Sequence, residues 1–411
     1  MTGLMEALVA TANHLHPPLF LEGYFMPRKS LLLVPGPTPV PDSVLRASAA
    51  PMVNHRGPEF VRVLRDCVDG LHQIFATEGD VLAFPASGTG GMESAIVNML
   101  SAGDRVLSCS VGAFGDRFAK IASRFGARVE SCGFEWGESV DPDRVSEALA
   151  ADPDRGIKAV LVTHNETSTG VVNNIRAVAE RVREHGALLL VDAISGLIAH
   201  EIPVDDWGLD VVVAGSQKAF MIPPGLTFVS VSKKAWDAHA KATLPRFYWD
   251  YTEMKSKDLT PYTPPVSLFF ALQEAVRLLL EEGLPTVRRR HAALGSACRA
   301  GVEALGLSLL APEGSRSNSV TAVRCPKGVT VKALRSHLRD QYGATVAGGQ
   351  GKLDSQIFRI GHLGYSGWTD IVGALAALEM SLYDLGLSHK LGSGVSAAME
   401  ILRQAASEVT L

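Results

Sequence analysis

The sequence has no two cysteines at CxxC spacing; Cys67, Cys109, Cys132, Cys298 and Cys325 stand singly along the chain. That scatter argues against a zinc site or a disulfide framework, suits a reducing cytosol, and leaves all five as packing residues. No stretch approaches the ~18 uninterrupted apolar residues of a membrane span, and the amino terminus lacks a basic segment followed by an apolar core. Charge of one sign is also missing: 39 Lys and Arg against 43 Asp and Glu give a net charge of -4. A global basic field of the kind that nucleic-acid binding uses is therefore absent. There is no internal repeat and no low-complexity tract. What remains is a chain of 411 residues, 46% of them apolar. That length suits one large domain and a smaller one, with a core able to shape a site for a small molecule.

The chain is organised around VVVAGSQKAFMIPPG, positions 211 to 225, in which a buried-strand pattern ends in a turn presenting Lys218. After a buried strand a lysine is usually a surface residue. Upstream, however, ALLLVDA (187 to 193) is another continuous apolar run, and it ends in Asp192. The stretch between them is long enough for a right-handed crossover, which puts both residues at the carboxyl ends of parallel strands, where open α/β sheets bind ligands. An amine desolvated there can lose its proton near neutral pH and attack a carbonyl. A lysine with a fixed carboxylate is the pair that pyridoxal phosphate requires: an amine for its aldehyde and an anion for its ring nitrogen.

Other stretches fit that chemistry. DVLAFPASGTGGMESAIVNML (80 to 100) reads as a strand, a Gly-rich turn and a helix starting near Gly90, an arrangement whose free N–H groups suit an anion. A dinucleotide fingerprint would need a glycine where Glu93 stands, and a P-loop lysine is absent. AVLVTHNETSTG (159 to 170) is a second strand running into a polar turn. His164 in that turn reads as a hydrogen-bonded structural group, and Arg288, Arg289 and Arg290 as a solvated helix face.

THNETSTG (163 to 170), VDA (191 to 193), SQKA (216 to 219), PPG (223 to 225) and RIGHLG (359 to 364) together resemble the class V aminotransferases of pyridoxal-phosphate fold type I. Within that class the chain most resembles the alanine–glyoxylate and serine–pyruvate (serine–glyoxylate) enzymes, from about Leu31 to Leu387. The resemblance implies that Lys218 carries the cofactor and moves the substrate proton, with Asp192 on the ring nitrogen. It implies phosphate contacts from Ser87, Gly88, Thr89 and Gln217, ring stacking by Phe114, and a contact from Thr167 to the phenolic oxygen. Arg359 would take the substrate α-carboxylate, and the backbone at Gly36 would lie beside the substrate. Thr263 would reach the phosphate of a neighbouring subunit, so the resemblance also implies a homodimer with shared sites. In one place the chain departs: Thr260 stands where a compared enzyme has tyrosine.

The expected architecture is α/β: an amino-terminal arm (1–30), a large domain (31–284) with a mostly parallel seven-stranded sheet between helices, a small α/β domain (285–390) and a helical extension (391–411). The arm reads as a short helix around Leu4, Leu8 and Val9, as an extended segment, or as sequence before a start at Met26. LTFVSVS (226 to 232) reads as an outer antiparallel strand, and positions 307–311 as a strand. The expected reaction moves an amino group from alanine or serine to glyoxylate or pyruvate by a ping-pong mechanism, in the cytoplasm, without metal, membrane or nucleic acid. The alternatives are a pyridoxal-phosphate lyase or desulfurase, an aspartate or phosphonate aminotransferase, and a nucleotide-binding protein without catalysis. Gln217 and Phe114 stand where the desulfurases resemble one another in having histidines.

Overall fold

The computed structural model describes residues 30–255 and 260–407. The expectations for the amino-terminal arm before Ser30, and for the last four positions of the carboxyl-terminal extension, lie outside the described residues. In chain order the strands are β1 (Leu31–Leu33), β2 (Asp80–Phe84), β3 (Arg105–Cys109), β4 (Arg128–Ser131), β5 (Ile157–Thr163), β6 (Asn165–Glu166), β7 (Val171–Val172), β8 (Leu188–Asp192), β9 (Val211–Gly215), β10 (Thr227–Val231), β11 (Val320–Arg324), β12 (Ala344–Gly348) and β13 (Ile357–Gly361).

Seven of them form one sheet in the order β2-β10-β9-β8-β5-β3-β4. β10 runs antiparallel to both of its neighbours, and the pairs from β9 to β4 are parallel. The continuous apolar runs of β5, β8 and β9 follow from burial on both faces. Val160, Val162, Leu189, Val191 and Val212 enter the core on one side, while Ala159, Leu161, Leu188, Leu190, Val211 and Val213 enter the core on the other. The period of two residues thus sends the apolar side chains of these strands alternately into one layer or the other. Each fully buried Val or Leu contributes about 1.5–3 kcal/mol, so the central strands are where sequence constrains the fold most.

Register then positions the site. Thr163 pairs with Asp192, and Asp192 with Val213, so the carboxyl ends of β5, β8 and β9 lie side by side.

A second, four-stranded sheet has the order β1-β12-β13-β11. Leu31–Leu33, first of the described strands, pairs in parallel with Ala344–Val346. Its core includes Leu33, Leu294, Val323, Leu338, Phe358, Leu375 and Leu402. Helix Val266–Glu282 leads to helix Leu284–Ala304 through Gly283, whose φ of +80° breaks the helical path.

Four local expectations are corrected. LTFVSVS is an interior strand, because β2 pairs with its outer side and both of its faces are buried. Positions 307–311 form only an isolated bridge, Leu309 with Val323, since no partner strand extends it. The helix after the Gly-rich turn begins at Gly88. Arg290 is buried and not solvated: it forms a two-pronged pair with Glu282 at 2.7 and 3.0 Å and donates to the carbonyls of Gly364 and Ser366. Among the described residues no helix is long and apolar enough to cross a membrane.

Candidate active site

The turn after β9 is closed by Ser216, whose hydroxyl donates to Pro223 O at 2.9 Å and accepts from Leu226 N at 3.2 Å. That clamp presents Lys218 at the sheet's carboxyl edge. Its amine donates to Pro35 O at 2.5 Å. The loop after β1 straps the same turn: Thr38 donates from its backbone N to Gln217 O at 3.2 Å and from its hydroxyl to Lys218 O at 3.1 Å.

Two glycines make this approach possible. Gly36 has φ +122°, and a Cβ there would collide with Nζ, Cε and Cδ of Lys218. Gly364, at φ +74°, would put a Cβ 2.9 Å from Lys218 O and 3.0 Å from Thr38 Oγ1. The PGP, SQKA and RIGHLG motifs therefore meet around one lysine.

Its electrostatics are set by enclosure. Burial lowers the Lys218 amine to about 8, with the Arg359 guanidinium pushing the same way and Asp192 opposing. Burial raises the Asp192 carboxyl to about 7; the Ile194 N–H donated to Oδ1 at 3.0 Å works against that, and the nearby Glu166 works with it. Arg359, only 4% exposed, is lowered to about 10 by burial. It donates from Nε to Gly348 O at 2.8 Å and from Nη1 to Thr167 O at 2.9 Å. Its Nη2 has no partner among the described residues.

Around this trio lie the other anticipated residues. Ser87 is the N-cap of helix Gly88–Met99 but makes no side-chain cap, so the first turn keeps donors free. Gly88 is buried, and Thr89 Oγ1 accepts from Arg117 Nη1 at 3.2 Å. Phe114 lies in the first turn of helix Ala113–Arg124, with the Arg117 guanidinium 4.8 Å from its ring centre. Thr167 Oγ1 is 2.6 Å from Ser195 Oγ, and Asn165 donates to Ser195 Oγ and Ser319 Oγ at 2.9 and 2.8 Å. Gln217 is half-buried, its side-chain amide oxygen lying 3.4 Å from Ser216 Oγ. Thr263 is exposed, on a loop lying against Phe84 and Pro85 at the end of β2. His164 donates its backbone N–H to Asp192 O at 2.8 Å, while burial and the neighbouring His200 keep its imidazole neutral.

A family model described as "Aminotransferase class-V" matches residues 33–357. The chain belongs to the class-V aminotransferases. It is 46% identical over 92% of its length to the whole of a Synechococcus protein named "Soluble hydrogenase, small subunit". It is 41% identical over 92% of its length to 98% of the L-aspartate–glyoxylate aminotransferase of Paracoccus denitrificans. To 97% of the serine–glyoxylate aminotransferase of Methylorubrum extorquens it is 40% identical, again over 92% of its length. Among solved structures, pyridoxamine–pyruvate aminotransferase from Mesorhizobium loti superimposes with a TM-score of 0.88 at 30% identity, covering 94% of this chain and 99% of that one.

The enzymes of this family use pyridoxal phosphate, and the residues present fit it. Burial lowers the Lys218 amine to about 8, a buried carboxyl lacks a full cationic partner, and a helix N-terminus lacks its side-chain cap. These are the needs of an aldehyde, a ring nitrogen and a phosphate.

Two residues around the candidate site, Glu166 and Arg117, had no cofactor or substrate role assigned from the sequence. Glu166 accepts from Phe114 N at 3.1 Å, Gly115 N at 3.0 Å, Ser168 N at 3.1 Å and Ser168 Oγ at 2.5 Å, fixing the helix that carries Phe114. Arg117 joins Thr89 to Phe114. The acid of NET gave a signal for the first, and an arginine one turn after Phe114 for the second, but the pairing is long-range in both.

Proposed function

We propose that this enzyme moves the amino group of a small L-amino acid, alanine or serine, to glyoxylate or pyruvate in two successive half-reactions. The observation that carries the reading is the enclosed Lys218 amine, lowered to about 8 between Asp192 and Arg359. When bound, pyridoxal phosphate supplies the carbonyl that exchanges amines and the ring that accepts electrons.

The chain's own groups do the rest. Arg359, with Nε and Nη1 already held by main-chain carbonyls, offers Nη2 to the substrate α-carboxylate and so fixes where the α-hydrogen points. Lys218 Nζ, lowered by burial to about 8 and so able to give up its proton near physiological pH, takes that hydrogen as a proton and returns it two atoms away, on the far side of the amino nitrogen. Asp192, with Oδ1 fixed by the Ile194 N–H, would set a carboxylate against the cofactor's ring nitrogen. Ser87, Gly88, Thr89 and Gln217 would hold the phosphate, Phe114 would stack on the ring, Thr167 would contact the phenolic oxygen, and the Gly36 backbone would border the substrate.

Thr263, exposed in the single chain, is the residue we assign to the neighbouring subunit's site in a homodimer. The five cysteines, all free thiols, support a reducing cytoplasmic setting. Large and small domains divide near residue 284, except that β1 (Leu31–Leu33) joins the second sheet, with the helical extension beyond 390.

A dicarboxylic donor is the second reading, favoured by Arg335. Its Nε donates to Val346 O at 3.0 Å, and a Cβ on Gly348 would lie 3.0 Å from its Nη1, placing a second guanidinium beside the residue that holds Arg359. Steady-state kinetics with L-alanine, L-serine and L-aspartate against glyoxylate test both readings. Parallel lines in double-reciprocal plots are expected; intersecting lines would remove the ping-pong scheme, and a best kcat/KM with aspartate would favour the second donor.

A further inference from the structure

At the amino ends of β5 and β8, the opposite edge of the sheet from Lys218, the surface forms an open cavity of about 430 Å³. Four cationic side chains line it, Arg155, Lys158, Lys234 and Lys241, against a single carboxylate, Asp237. Lys233 already meets that carboxylate at 3.2 Å. Lys234 is tethered to Ala187 O and Asp210 at 2.5 and 3.1 Å, whereas Arg155, Lys158 and Lys241 have no side-chain partner among the described residues.

Two further observations mark the place as built for a ligand. His185 lines the same cavity at 8% exposure; its Nε2 is held by Asp152 at 3.2 Å, but its Nδ1 is buried without a partner. Asp152 itself is committed to Arg105 at 2.7 Å and to Ile157 N at 2.7 Å, so its charge is spent. Arg155 adopts φ +51°, a strained conformation for a residue with a side chain, and such strain clusters at ligand sites.

We propose that this cavity binds a small phosphorylated compound carrying two or more negative charges. Lysine ammonium groups recognise phosphate as mobile point charges, and a cavity of this volume falls within the usual range for small-molecule sites. With no Phe, Tyr or Trp in the lining to stack a nucleobase, a sugar phosphate or pyrophosphate fits better than a nucleotide. The site is separate from the catalytic one: β8 runs from Leu188 at the cavity to Asp192, about 13–17 Å at ~3.3 Å per residue.

Calorimetric titration of the cofactor-loaded enzyme with inorganic pyrophosphate at low salt tests this, the active-site phosphate position being already filled. One saturable event per chain is expected, weakened at least tenfold when Lys158→Gln and Lys241→Gln are combined and unchanged in the exposed control Lys327→Gln. Neither lysine of the pair has a partner to lose, so thermal unfolding should match the parent. Absence of saturable binding, binding that survives the double substitution, or citrate binding as tightly as pyrophosphate would each overturn the proposal.

Discussion

Lys218 Nζ is hydrogen-bonded to Pro35 O at 2.5 Å, although the two residues are far apart in sequence and follow strands of different sheets. Pro35 comes just after β1, which pairs with β12, whereas Lys218 comes just after β9 in the large sheet. The lysine's setting therefore depends on how the β1 loop lies over the turn.

Gly36→Ala tests that dependence. The added methyl has to displace the Lys218 side chain and to sit at φ +122°, where side chains are strained. A fall of at least tenfold in kcat with a small change in thermal stability is expected. Parent-like kcat would mean that the loop does not hold the lysine.

The buried pair also predicts how the cofactor-free protein responds to pH. Asp192 titrates near 7 when folded against an ordinary 3.8, so the folded form holds more protons in that interval and stability falls as pH rises through it. Lys218 titrates near 8 against an ordinary 10.5, so stability rises again between those values. A minimum around pH 7–8 follows. Asp192→Asn removes the first slope and should stabilise the cofactor-free protein at pH 7.5 by roughly 2–4 kcal/mol while abolishing turnover. Urea unfolding at pH 5 and 7.5 measures it; equal slopes in parent and variant would contradict the assignment.

Glu166→Ala leaves the N–H groups of Phe114, Gly115 and Ser168 without their acceptor. At about 1–3 kcal/mol for an unsatisfied buried group, a loss of several kcal/mol is expected, with Glu166→Gln losing less because one acceptor oxygen remains. Denaturant midpoints for the two variants give the comparison. Equal, small losses would show that the helix end is held by other groups.

Arg335→Gln separates the two donor readings. If its guanidinium meets a side-chain carboxylate, KM for L-aspartate should rise about tenfold, the value of one charge-assisted hydrogen bond, with KM for L-alanine within about twofold. Equal changes for both donors would remove the dicarboxylic reading.

The parts of the fold that were legible in sequence are those governed by local burial. ALLLVDA and VVVAG read as strands covered on both faces, and their parallel pairing brings Asp192 and Lys218 to one edge. LTFVSVS has the same apolar character, but its interior place depends on pairing with β2 from far earlier in the chain. Arg290 reads as one of three adjacent arginines until Glu282 and the Gly364 carbonyl fold against it. The membership of β1 in the second sheet is likewise a pairing across most of the chain. Within the site, Lys218 and Asp192 were visible because their residue types match a chemistry, and Arg359 through the family resemblance of RIGHLG. Arg117 and Glu166 act on neighbours fixed only by the fold.

The most direct test is the visible absorption spectrum of the purified enzyme and of Lys218→Ala, recorded while L-alanine, L-serine or L-aspartate and then glyoxylate are added. The parent should carry a visible cofactor band that moves to shorter wavelength with an amino acid and returns with glyoxylate, and Lys218→Ala should complete neither change at a measurable rate. A Lys218→Ala variant that cycles like the parent, or a parent that cannot take up pyridoxal phosphate, would contradict the account.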